Sequence, residues 1–239
     1  MADTTSPSPQ CPVNEPHCEY LNELLSLRQQ VTNLQREART DALTGLFNYR
    51  HFDLILNQEM ERVRRSGLPM VLVLCDIDHF KQFNDTYGHE VGNRMLQQVA
   101  RVIDQQLRQL DTACRYGGEE FALIFPSTSL SQAKGVAERI RTAVAAVELE
   151  LSATQKVAVT LSLGLASFVS SESLLASELV ANADEQLYRA KKQGRNCVVA
   201  PDNRVTNSSA LEVTADEKSA LFASITTDYS NDEPEPASD

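Results

Sequence analysis

Apolar positions along the chain change their period several times, and each change marks an element. Over residues 17–40, Tyr20, Leu24, Leu27, Val31, Leu34 and Ala38 recur at alternating spacings of four and three. That is a heptad seam with Leu27 and Leu34 at d and Val31 at a, the choice that favours two parallel strands of coiled coil. A seam this short is marginal without other contacts, and an amphipathic helix lying on its own domain fits the same pattern. From Asp41 helix-like and strand-like segments alternate. Residues 49–65 read as a helix. MVLVLCDID (70–78) follows Pro69 and reads as a strand, because its apolar run is continuous. Residues 92–110 set Met95, Leu96, Val99, Val102, Ile103 and Leu107 on one helical face; residues 131–148 do the same with Ala133, Val136, Ala137, Ile140 and Val144. VAVTLSLGLASF (157–168) reads as one long strand, 173–192 as a helix and Cys197-Val198-Val199 as a short last strand. RYGGEEFALIF (115–125) places two glycines before an apolar strand that Pro126 ends, which signals a hairpin. The alternation predicts an α/β layered domain over 41–200, without internal repeats.

Composition changes this picture mainly at the ends. Residues 1–16 are rich in Ser, Thr and Pro and are expected to be disordered. From Pro201 to Asp239 nine acidic residues face two basic ones, so this tail carries much of the net charge of −11. It too is expected to be largely disordered, with KSALFASI as a small helix that docks. The negative charge argues against nucleic acid or an anionic membrane as partner. No apolar run is long enough to span a membrane, and the N-terminus lacks a basic region followed by an apolar one. The five cysteines are scattered and odd in number, with Cys75 and Cys114 in strand-like segments. They read as free thiols in a reducing cytoplasm, without metal-binding spacing.

Candidate chemistry gathers at strand ends. Asp76 emerges where the apolar run 70–76 stops, and Glu119 and Glu120 where another strand begins. If those strands are neighbours, the carboxylates converge, and clustered acids usually hold a divalent cation. Hard oxygen ligands without His or Cys favour magnesium, which with few carboxylates usually serves phosphates. The plainer alternative makes Asp76 a strand-end cap and the glutamates solvated. The double glycine weighs against it, since glycine permits close approach to a ligand. Lys191 near the end of helix 173–192, and Arg195 after Gly194, either complement the helix dipole or reach a triphosphate.

These segments together resemble a known family. RYGGEEF resembles the signature of the GGDEF family, the diguanylate cyclases, in its GGEEF form. DALTGLFNYRHF (41–52) is similar to the opening motif of that family, and LCDIDHFKQFNDTYGHEVGNRML (74–96) to its metal and guanine segment. VTLSLGLA (159–166) and ADEQLYRAKKQGRN (183–196) are similar to its closing motifs. The resemblance covers residues 41–200 in order and spacing. It implies a central, mainly antiparallel sheet surrounded by helices, like the palm of nucleotidyl cyclases and polymerases, here preceded by the coiled-coil helix 17–40. It implies condensation of two GTP into cyclic di-GMP with release of two pyrophosphates, each domain of a homodimer holding one GTP.

The resemblance also implies residue roles. Asp76, Glu119 and Glu120 would bind Mg2+, or Mn2+ in its place, by side chains, and Ile77 by its carbonyl. Glu119 is the expected base. Gly117 and Gly118 would let the hairpin lie against the nucleotide, and amides around Phe80 and Lys81 would cradle phosphates. Lys81, Lys191 and Arg195 would neutralise the triphosphate, and Asn84 would bond guanine. Asn93 stands where the family usually has Asp; an amide offers guanine one acceptor where a carboxylate offers two, and it can also pair with adenine. Arg108 and Asp111 match the inhibitory RxxD site for cyclic di-GMP, and Arg139 a secondary arginine of that site. Two alternatives accompany this reading: a catalytically inactive module that senses cyclic di-GMP, and a cyclase with relaxed purine choice. With no sensor domain legible near the N-terminus, a separate regulatory protein acting on helix 17–40 is the expected input.

Overall fold

The computed structural model describes residues 19–152 and 154–201. The expectations for the N-terminus (1–16) and for the tail with its KSALFASI segment lie outside the described residues. In chain order the elements are α1 (Glu19–Arg39), α2 (Tyr49–Ser66), β1 (Met70–Ile77), α3 (Phe80–Tyr87), α4 (His89–Gln106), β2 (Thr112–Arg115), β3 (Glu120–Phe125), α5 (Leu130–Ala145), β4 (Leu149–Glu150), β5 (Lys156–Val157), β6 (Leu161–Phe168), α6 (Ala176–Lys192) and β7 (Val198–Val199).

Five strands form one sheet in the order β2-β3-β1-β6-β7. All pairs are antiparallel except β6 with β7. β1 lies at the centre, and all eight of its residues are buried. Val71, Val73, Cys75 and Ile77 join one core with α4 and α5, while Met70, Leu72 and Leu74 join another with α2 and α6. A strand covered on both faces must be apolar at every position, which explains its unbroken run. The predicted inward faces of α4 and α5 are buried as expected, with Leu107 partly so. α6 presses on β6 at Gly164, where an added Cβ would stand 2.1 Å from the Leu187 amide nitrogen.

Several element boundaries differ from the expectation: α5 ends at Ala145 and α6 begins at Ala176, and two further differences are larger. The predicted strand 157–168 is two strands: Lys156 and Val157 pair with Leu149 and Glu150 in a separate ribbon, and only Leu161–Phe168 enters the main sheet. Between them Thr160 stays bonded to Asp78: its carbonyl accepts the Asp78 N–H and its hydroxyl donates to the Asp78 carboxylate. The helix predicted over 92–110 stops at Gln106. There the Asp111 carboxylate accepts the Arg108 N–H at 2.8 Å, and the chain leaves the helix in a tight turn.

α1 is continuous, and Leu24, Leu27, Val31 and Leu34 of its seam are exposed by 45–63%. No described helix is long and apolar enough to cross a membrane. The junction after α1 is fastened to the domain. The Asn48 side chain donates to the Ala38 carbonyl at 3.0 Å and also caps α2 by accepting the His51 N–H. Phe47 bridges to Cys114, so residues 40–48 lie along the open edge of β2.

Candidate active site

The central fact is a register. β1 and β3 pair antiparallel with Asp76 opposite Glu120, and β1 and β6 pair with Asp76 opposite Ser162. The Ile77 N–H donates to the Glu119 carbonyl at 3.2 Å, which ties the hairpin tip to the end of β1. Three carboxylates that sequence reading placed at separate strand ends therefore meet at one end of the sheet. Lys191 joins them from the last turn of α6, its Nζ 2.8 Å from Asp76 Oδ2.

The electrostatics of this group are unbalanced. Burial pushes the Asp76 carboxyl above its ordinary range; the Lys191 bond and charge pull it back only in part, and Asp78 adds repulsion. Burial also raises Glu119 and Glu120, and the Asp76 charge raises both further. Asp184 of α6 adds to the negative field at Glu120. A bound cation would relieve this repulsion. Among the described residues, no three His, Cys, Asp or Glu side chains are gathered tightly enough to hold a metal alone. The donor set of carboxylate oxygens fits a hard cation that completes its shell from a bound phosphate group.

At the double glycine the geometry shows a packing role. Neither Gly117 nor Gly118 has a positive φ, so the hairpin does not need them for a left-handed turn. A Cβ on Gly117 would stand 2.4 Å from Glu120 Oε2, whereas one on Gly118 would meet nothing within 4 Å. Gly117 makes room for Glu120, and Gly118 leaves the outer side of the tip open. Arg115 braces the same tip: its guanidinium donates to the Gly118 carbonyl at 2.7 Å and to both Asp41 oxygens at 3.2 Å. Burial works against ionised Asp41, but the Thr44 hydroxyl and amide, with Arg115, hold it below the usual carboxylate range. Sequence reading assigned no role to Asp41 or Arg115, although both lie inside the quoted motifs.

A second part of the site lies between α3 and α4. His79, in left-handed conformation, precedes α3 without a side-chain cap, so Phe80 and Lys81 open a helix whose first turn has no capping side chain. Gly92 of α4 lets Asn84 approach closely: a Cβ there would be 1.8 Å from Asn84 Oδ1. That oxygen is buried and has no hydrogen-bond partner. Asn93, the next residue of α4, is exposed.

Arg195 follows Gly194 after the end of α6, and its charge is felt at Asp76. Asp78, which sequence reading left without a role, accepts from Ser162, Thr160 and the Asn196 amide. These partners lie 82 to 118 residues away in the chain, so no local pattern announces them.

Arg108 and Asp111 form the turn between α4 and β2 and stand apart from the carboxylate group. Arg139 of α5 donates to the side chain and the carbonyl of Gln106, at 3.0 and 2.7 Å, and so holds the end of the helix that leads to Arg108.

Known proteins resemble this chain in sequence and fold. The response regulator PleD of Caulobacter vibrioides is 39% identical over 174 residues, covering 72% of this chain and 38% of PleD. The coiled coil and GGDEF domain of DgcB from Caulobacter crescentus, solved in complex with c-di-GMP, matches with TM-score 0.71 and 36% identity over 76% of this chain and 95% of that one. Diguanylate cyclase SiaD of Pseudomonas aeruginosa, solved in complex with its activator SiaC, matches with TM-score 0.67 and 37% identity over 75% of this chain and 68% of that one. The chain thus spans well under half the length of PleD. The family described as diguanylate cyclase, GGDEF domain, matches residues 38–197, and with the sheet order and the carboxylate register in place the chain belongs to that family.

Proposed function

We propose that this protein condenses two molecules of GTP into cyclic di-GMP with release of two pyrophosphates. The observation that carries the reading is the convergence of Asp76, Glu119 and Glu120 beside Lys191, each carboxyl raised by burial and by its neighbours. Asp76, Glu119, Glu120 and the Ile77 carbonyl are the groups that would hold Mg2+ or Mn2+. The bound cation supplies polarisation of the α-phosphate and acidity at the attacking 3′-hydroxyl.

The remaining work falls to the chain. Glu119, with its raised pKa, is suited to take up the proton of the 3′-hydroxyl. Lys191 exchanges Asp76 for the triphosphate, which it meets together with Lys81 and Arg195. The amides of Phe80 and Lys81 bind phosphate oxygens at the start of α3. Asn84 offers its unpaired oxygen to the guanine edge, and Gly118 leaves the hairpin tip open to the nucleotide. Asn93 gives guanine one acceptor, so ATP competes better here than in a chain with Asp at that place.

The reaction needs two domains face to face, and the exposed seam of α1 supports a homodimer. The same helix is the place where a regulatory protein would act; SiaD, which resembles this chain, was solved with an activator. Product binding at Arg108 and Asp111, completed by Arg139 of a neighbouring domain, would hold the domains apart and inhibit turnover.

The test is turnover of GTP with magnesium across protein concentrations, with and without added cyclic di-GMP. Cyclic di-GMP is expected as product, with a rate per domain that rises with concentration and falls with added product. No product from a proven dimer overturns the enzyme reading. Binding of cyclic di-GMP without turnover would favour a sensing module. Unchanged ATP-to-GTP preference in Asn93→Asp would clear Asn93 of any effect on base choice.

A further inference from the structure

Asp78 is a buried carboxylate that the proposed reaction does not use. It is 6% exposed, and its two oxygens accept from three donors. Oδ1 takes the Ser162 hydroxyl at 2.6 Å; Oδ2 takes the Thr160 hydroxyl at 2.6 Å and the Asn196 amide at 3.0 Å. Its own N–H donates to the Thr160 carbonyl at 2.9 Å. A carboxylate so committed is poorly placed to serve as a ligand, unlike Asp76 two residues before it.

Its amide partner sits in unusual backbone. Gly194, Arg195 and Asn196 have φ of 109°, 63° and 44° in succession. Left-handed backbone suits glycine, but for Arg and Asn it persists only where the surroundings impose it. Three contacts impose it here. The Arg195 N–H donates to the Ala190 carbonyl at 3.1 Å, and the Asn196 N–H to Asp78. The Asn196 side-chain oxygen accepts from Arg141 Nη1 at 2.8 Å, and Arg141 is itself held by Glu138. One residue further, the Cys197 carbonyl accepts the Leu163 N–H and the chain enters β7.

We propose that Asp78 is a positioning residue for Arg195: by fixing the Asn196 amide it maintains the left-handed turn that presents the Arg195 guanidinium to the triphosphate. This rests on the reading of the site as a GTP site and deepens it. Lys191 sits on a helix and gets its direction from helical geometry. Arg195 lies past the helix end, where its backbone follows this turn. Asp78 and Arg141 grip the two sides of the turn, one through the backbone and one through the Asn196 side chain.

The test compares Asp78→Ala, Asp78→Asn and Arg141→Met, each alone and combined with Arg195→Ala. KM and kcat for GTP are measured, and the affinity for a non-reacting GTP analogue is measured separately by calorimetry. Asp78→Ala is expected to raise KM and weaken analogue binding about tenfold, the scale of one charge-assisted contact, with a smaller change in kcat. Asp78→Asn keeps one oxygen for the Asn196 amide and lets a hydroxyl turn to accept, so it falls in between. Arg141→Met moves the same quantities in the same direction by a smaller factor. In the Arg195→Ala background none of these variants weakens binding further. Simple destabilisation would lower kcat through loss of active protein and leave KM unchanged. Wild-type KM and affinity in Asp78→Ala, or losses that multiply with Arg195→Ala, overturn the proposal. Should Asp78→Ala fail to fold, unchanged KM and affinity in both Asp78→Asn and Arg141→Met overturn it equally. Analogue binding that ignores Asp78 leaves the cyclase reading standing, whereas a wild type that neither binds the analogue nor turns over GTP overturns both.

Discussion

Single residues here are constrained by what a few atoms would meet. A methyl group on Gly92 collides with Asn84 Oδ1, whereas one on Gly118 enters open space. Gly92→Ala should therefore displace the Asn84 amide and weaken GTP binding several-fold, with little loss in denaturant unfolding, because that amide is the end of a flexible side chain and Ala favours the helix. Gly118→Ala should unfold like the wild type. The carboxylates make a second prediction, through pH. Burial raises Asp76, Glu119 and Glu120 above the values they would have in the unfolded chain. Between the two values the folded state holds more protons than the unfolded one, so stability falls as pH rises through that window. Glu120→Gln removes one such group. Its Tm should exceed that of the wild type at neutral pH, and the two should converge toward about pH 4, where carboxyls protonate in either state. Turnover should fall in the same variant, since a stability gain bought from a strained site costs function.

At the scale of elements, the site depends on how α6 and β6 meet. The nearest atoms to a Cβ on Gly164 are the Leu187 nitrogen at 2.1 Å and the Ala183 oxygen at 2.4 Å, both backbone atoms that cannot swing away. Gly164→Ala must shift the whole helix, and that helix carries Lys191. The expected result is a loss of at least about 1–3 kcal/mol in unfolding together with a large loss of turnover, both measured on one preparation. Most elements were legible in the sequence, because each has its own period: eight buried residues in β1 without a break, and inward faces at helical spacing in α4 and α5. Where a side-chain contact rather than a period sets the local structure, the sequence pattern does not show it: Asp111 closes the turn after α4 through the Arg108 amide. The brace of Arg115 on Asp41 is not legible locally, because 74 residues separate the two.

For the whole molecule, the proposed reaction needs two copies, and α1 is the element that carries an exposed apolar seam. The seam of α1 leaves Leu24, Leu27, Val31 and Leu34 exposed in the single chain, and fewer than three heptads give a marginal coiled coil. Association is then sensitive to anything that binds the helix. Leu27→Asp combined with Leu34→Asp should leave the domain folded, because neither side chain belongs to its cores. Sedimentation should show a monomer, and cyclic di-GMP formation should drop by at least tenfold at concentrations where the wild type is a dimer. The junction gives this helix a firm hold on the domain. Asn48 bonds the last turn of α1, and Asp41 just beyond it grips Arg115 and so the hairpin tip. The end of the helix and the hairpin tip are thus both fastened to the segment that joins α1 to α2.

The sequence by itself determined the order of elements, the apolar strand ending in Asp76, the paired acids after two glycines and the cations near the end of α6. These are local features, written in spacing and residue type within short segments. Only the tertiary structure decided that Asp76 stands opposite Glu120, that Lys191 reaches it, and that Gly117 leaves room for the Glu120 carboxylate. It alone revealed that Asp78 holds Asn196 across 118 residues of chain. Register and side-chain convergence come from pairing between segments far apart, and the energy of a buried charge depends on which neighbours that pairing supplies.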